Sequence, residues 1–229
     1  MQTLALHLAL LTAATAGVAH ERFTDHKAFY QYVEQTQGWS RPFFPRTVEA
    51  GTPADSSVRV RGLSPAWGTV KIGRNSILIA GRRLPWMRAS WPMSRPMSFR
   101  MDIELVRAWE QPNEPRLCLQ SPAGDSGGSA RTQHVVVVHR PRTPATRMRL
   151  FAWTNPYASC ESLFFDKEGR LLVGLFQLQM ESARAISSAS FSVRDLMTGH
   201  ETKHFALTLA DADNAFDFWV TPSTVPSAR

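Results

Sequence analysis

His200-Glu201-Thr202-Lys203-His204-Phe205-Ala206-Leu207-Thr208-Leu209 can be read in two ways, and the choice decides the fold. As a helix it would match H-E-x-x-H, in which two imidazoles one turn apart share a zinc ion and the glutamate acts on the bound water. As a strand it alternates, with Phe205, Leu207 and Leu209 on one face and His204, Ala206 and Thr208 on the other. The segment begins directly after Thr198-Gly199, a turn signal, which favours the strand. On a strand, residues four apart are separated by about 13 Å and cannot meet at one metal.

Period-two patterns recur on both sides of this stretch. Ala189 to Val193 supplies the first arm of a hairpin joined to it through Thr198-Gly199, and Phe216 to Val220 a following strand. Phe164-Phe165-Asp166-Lys167-Glu168-Gly169-Arg170-Leu171-Leu172 reads as another hairpin, with glycine at the left-handed position of its turn. Val135 to Val138 is a four-valine run suited to a central strand. Val58 and Val60 alternate with Arg59 and Arg61, Val70 and Ile72 flank Lys71, and Phe99, Met101, Ile103 and Leu105 alternate with Ser98, Arg100, Asp102 and Glu104. One helix is expected, over about 24 to 36, with Thr24 as N-cap, Phe23 stapled onto Ala28, and Gly38 ending it. The prediction is a mainly β chain: an antiparallel β-sandwich or barrel carrying one N-terminal α-helix, with a loop at Ser121 to Thr132.

The 229 residues are 43% hydrophobic, enough for one sizeable core, and hold no apolar stretch of membrane-spanning length. Leu4 to Ala19 is an apolar run ending in small residues, the pattern of a secretory signal peptide at 1–19. It is followed by a single β-rich domain at 20–221 and a disordered Pro/Ser tail at 222–229. Secretion would place Cys118 and Cys160 in an oxidising compartment, where they can form a disulfide worth about 4 kcal/mol in the chain-entropy model. Two cysteines exclude iron–sulfur clusters and zinc ribbons, and no cofactor is expected. No Asn-x-Ser/Thr acceptor occurs, so no N-linked glycans are expected.

Two motifs resemble catalytic sequences. A secreted zinc hydrolase would use His200, Glu201 and His204, with Asp211, Asp213 or Asp217 as third ligand. Gly124-Asp125-Ser126-Gly127-Gly128 resembles the nucleophile segment of chymotrypsin-like proteases, which would require His26 and Asp102 to complete a triad. Only 24 residues separate Asp102 from Ser126, where that family places much of a barrel, and the simpler reading is a Gly/Ser loop.

Charge is the remaining feature. The formal net charge is +7. Ser56 to Met101 contains no acid and nine bases, Arg59, Arg61, Lys71, Arg74, Arg82, Arg83, Arg88, Arg95 and Arg100. Within it Trp86, Trp91 and three methionines interleave with arginine, residue types enriched at interface cores, and prolines keep the segment extended. This predicts a contact surface built from Arg82, Arg83, Trp86, Arg88, Trp91 and Arg95. An acidic or amphipathic protein, a nucleic acid or an anionic membrane surface could each use it. The alternative is that the tryptophans fold back as a lid on the sheet while the arginines solvate the exterior.

A leader, one compact domain, two cysteines and no persuasive catalytic set resemble the organisation of small secreted effectors of plant-colonising fungi of the smut type. That resemblance implies a non-enzymatic protein that is exported and then binds a host protein, outside or inside host cells.

Overall fold

The computed structural model describes residues 21–50, 56–86, 100–124, 132–140, 148–180, 186–212 and 214–221. The leader at 1–19, Arg88, Trp91, Arg95, Ser126, Asp213 and the tail at 222–229 lie outside the described residues. In chain order the elements are β1 (Glu21–Phe23), α1 (His26–Gln37), β2 (Phe44–Glu49), β3 (Ser57–Arg61), β4 (Val70–Gly73), β5 (Ser76–Ile79) and β6 (Arg82–Pro85). They continue with β7 (Arg107–Gln111), β8 (Arg116–Pro122), β9 (Thr132–His139), β10 (Arg149–Pro156) and β11 (Leu163–Phe165). The last four are β12 (Leu171–Met180), β13 (Ile186–Asp195), β14 (Glu201–Asp211) and β15 (Asn214–Thr221).

The fold is mainly β, with one α-helix among the described residues and two curled antiparallel sheets. The six-stranded sheet runs β1-β15-β14-β13-β12-β11 and the nine-stranded sheet β10-β9-β8-β7-β2-β3-β4-β5-β6. The nine-stranded sheet curls so that β3–β6 and β7–β10 bury a common aliphatic core, including Val58, Ile72, Ile79, Leu117, Val136 and Leu150. A second core lies between β8–β10 and β11–β12, where Val135, Val137 and Phe151 meet Leu163, Val173 and Leu175. A third, rich in phenylalanine, lies between α1 and the other face of the six-stranded sheet.

This stacking explains the valine run. Val136 and Val138 face the first core and Val135 and Val137 the second, so β9 has no wet face and needs no polar alternation. Leu171 and Val173 likewise face the second core while Leu172 and Phe176 face the third. Gly174 sits where a Cβ would lie 2.0 Å from the Phe191 ring, so glycine is what lets that ring lie flat on β12. The Cys118–Cys160 disulfide ties β8 to the segment leading into β11, across the second core.

Both expected hairpins form. Gly169 adopts φ 76° in the Asp166–Arg170 turn, where Asp166 accepts hydrogen bonds from the Glu168 and Arg170 amides. β13 pairs with β14, and Gly199 N donates to Asp195 O at their turn.

Three details differ from the sequence reading. The helix is capped by Asp25 and not by Thr24, because Asp25 has the extended backbone of an N-cap and its carboxylate accepts from the third helical amide, Ala28 N. Asp102 to Leu105 is a turn and not a strand: Asp102 Oδ1 accepts from the Glu104 and Leu105 amides, and this local bonding wins over the ladder. Ser121 and Thr132, expected in a loop, are ladder residues of β8 and β9.

Candidate functional site

The outer face of β3–β6 is built by alternation. With Val58, Val60, Val70, Ile72, Ile77 and Ile79 turned to the core, Arg59, Lys71 and Leu78 turn to solvent. Register then places Glu49, Arg59, Lys71, Leu78 and Arg83 directly opposite one another across five consecutive strands. Glu49 is held by Arg61, whose Nε lies 2.7 Å from its carboxylate. Arg83 Nε donates to Ser76 Oγ at 2.9 Å, which fixes that guanidinium beside a groove of about 490 Å³ flanked by Lys71, Arg74 and Asn75. Residues 57–85 contain no carboxylate side chain, so the face carries one sign of charge.

The predicted contact residues do not stay together. Arg83 is on this face, while Arg82 lies opposite Ile79 at the exposed end of the other face. Trp86 is 1% exposed, a core residue whose indole N–H donates to the carbonyl oxygens of Gly73 and Arg74. It therefore offers no surface to a partner; a large ring with one polar atom satisfied by two backbone acceptors is stable inside.

The H-E-x-x-H residues lie on and beside strand β14, not on a helix. His204 faces away from Phe205 and Leu207, and Glu201 is shared between Arg194 at 3.1 Å and the His204 ring at 3.7 Å. His200 and His204 thus cannot serve one zinc ion, and Asp217 is engaged by Arg22 through two bonds of 2.8 and 2.7 Å. Among the described residues no group of three His, Cys, Asp or Glu could hold a metal.

His26, the histidine a protease triad would need, is packed between rings. Its centroid lies 4.1 Å from Phe176 and 4.8 Å from Phe216, and its Nε2 donates to Ala215 O at 3.1 Å. Burial pushes its pKa down to about 4, so the ring is neutral at ordinary pH. The Asp102 carboxylate serves its own turn.

His26 also marks a site that the sequence reading missed. Between the first turn of α1, the residues 104–107, the β8–β9 ladder and Tyr157–Glu161 lies an open cleft of about 680 Å³. Tyr157 and Phe216 form one wall, their rings 4.7 Å apart and nearly perpendicular, with His26 behind both. Tyr157 has φ 59°, a left-handed backbone that an aromatic residue seldom adopts, and its carbonyl accepts from Tyr30 at 3.4 Å. Gln120 crosses the floor: its Oε1 accepts from Cys160 N at 3.1 Å and from Ser159 Oγ, and its Nε2 donates to Gln133 Oε1. The disulfide at Cys160 fixes this segment to β8. Glu104, Glu161, Lys27 and Arg107 stand around the opening. Residues 26, 107, 120, 133, 157 and 216 are too scattered to form a motif, and only Tyr157 beside Pro156 carries any local hint of a turn.

No family model, curated protein or solved structure matches the chain, so both surfaces are read from their own chemistry.

Proposed function

We propose that the protein is an exported, non-enzymatic binding protein, of the effector type its organisation resembles, that engages an acidic surface of a host protein through the outer face of β3–β6. Arg59, Lys71 and Arg83 form the centre of the contact, and Arg88, Trp91 and Arg95 follow β6 directly in sequence. The observation that carries this reading is the acid-free run of residues 57–85, from which strand register gathers Arg59, Lys71 and Arg83 on one face. A face of one charge sign attracts an anionic partner. Buried Trp86 supports the reading indirectly, because it anchors β6 rigidly behind Arg83.

The test is binding of a fluorescent polyglutamate peptide and of a single-stranded oligonucleotide of equal charge to the wild type and to the Arg59→Glu/Arg83→Glu variant. The peptide is expected to bind, and the variant to bind it at least about tenfold more weakly. Equal affinity of the two proteins would refute the reading. Tighter binding of the oligonucleotide, with a steep fall in salt, would replace the protein partner by a nucleic acid.

A further inference from the structure

We propose that the cleft between α1 and the Tyr157–Glu161 segment is a binding site for a neutral saccharide, distinct from the basic face and independent of its function. Four observations on different parts of the cleft converge on that class of ligand.

The wall is aromatic and accessible. Phe216 is 40% exposed although it is a large apolar residue, and Leu105, 55% exposed, stands on the opposite lip. Rings presented this way give the C–H faces of a sugar a surface to stack on, while the rest of the cleft supplies hydrogen bonds.

The floor is polar but carries no charge. Gln120 is oriented by the Cys160 amide and the Ser159 hydroxyl, which occupy its Oε1, while one hydrogen of its Nε2 goes to Gln133 Oε1. The second Nε2 hydrogen is an oriented donor that suits the oxygen of a sugar hydroxyl.

The charges at the opening cancel. Lys27 and Arg107 are matched by Glu104 and Glu161, so neither an anion nor a cation is favoured overall, in contrast to the basic face. None of these four side chains forms an ion pair with a described residue, so each is open to a hydroxyl.

The fourth observation is the backbone at Tyr157: it is held at φ 59°, and backbone strain of this kind collects where a side chain must be aimed.

The experiment is calorimetric titration of the full protein with four neutral probes: cellopentaose, chitopentaose, mannopentaose and laminaripentaose. Two cleft variants are compared with the wild type. Tyr157→Gly removes the ring at a backbone angle glycine adopts freely, and Phe216→Ala removes an exposed ring; Phe44→Ala, at a 52% exposed site outside the cleft, is the control. Saturable binding of at least one probe is expected, weakened about tenfold or more in both cleft variants and unchanged in Phe44→Ala. Arg59→Glu/Arg83→Glu should bind the same saccharide as wild type does, which separates this proposal from the reading of the basic face. Absence of saturation with all four probes, or equal affinity in Tyr157→Gly and Phe216→Ala, would overturn it. An undiminished melting temperature in Tyr157→Gly shows that any loss is due to the ring and not to unfolding.

Discussion

Strand β9 reads Val135-Val136-Val137-Val138 with every one of these side chains buried, whereas β3 reads Ser57-Val58-Arg59-Val60-Arg61 with every second one turned toward water. Both are strands of the same sheet. What differs is the number of covered faces: β9 separates two cores, and β3 closes only one. The comparison teaches that in this molecule a continuous apolar run signals a middle layer, and alternation signals a flank free to carry charge.

The sharpest way to break the distinction is to overfill a middle layer. Gly174→Ala on β12 puts a Cβ within 3 Å of three Phe191 ring atoms, and Phe191 is fully buried among the aromatic residues under α1. The expected cost is about 3 kcal/mol or more, read as a lower midpoint in denaturant with an unchanged slope. A loss below about 1 kcal/mol would mean that the middle layer yields, and the comparison with β3 would lose its basis.

Acid tests the same layer from its helix side. His26 has a folded pKa of about 4 against an unfolded value near 6.5, with burial as the first cause. Because the unfolded chain binds the proton more readily, the neutral ring's contribution is complete above about pH 6.5 and is lost as pH falls toward 4. The total is about 3 kcal/mol, and burial pulls His134 and His139 in the same direction. Melting temperatures of wild type and His26→Phe should diverge below pH 6; parallel curves would show that His26 is not desolvated as described.

On the flank, the expected effect is small. Arg59 stands between Glu49 and Lys71 on the neighbouring strands, and Arg59→Thr places a β-branched residue on a solvated strand, so stability should change by less than about 0.5 kcal/mol. A large loss on thermal melting would show that Arg59 belongs to the packing and not to the contact face.

The sequence disclosed most where one residue's pattern depends on its near neighbours. The strand at Phe205 to Leu209, the left-handed Gly169 and the two-sided valine run all follow from spacing within a few positions. It misled where a side chain satisfied the backbone locally, as at Asp25 and Asp102, since both the aspartate and the ladder satisfy the pattern on paper. It misled again at Trp86, where arginine and proline neighbours suggested a loop. The two carbonyl acceptors that hold the indole inside come from Gly73 and Arg74, more than ten residues away. The basic face was half legible: acid-free composition named its charge, but only strand register could line up Arg59, Lys71 and Arg83. The cleft was not legible at all, because its walls come from α1, the 104–107 turn, β8, β9 and β15, and no two of its aromatic residues on different walls are sequence neighbours.

Three rungs join the two extremities of the described chain: Glu21 faces Val220, Arg22 faces Trp219 and Phe23 faces Phe218. The arrangement is antiparallel, so an opposing load applied at these two ends opens the rungs one after another, like a zipper, instead of shearing them together. Mechanically the molecule is thus weakest where its ends meet. Tension drawn through both ends would strip β1 and withdraw Phe23 from under α1 while the disulfide-tied middle layers stayed intact.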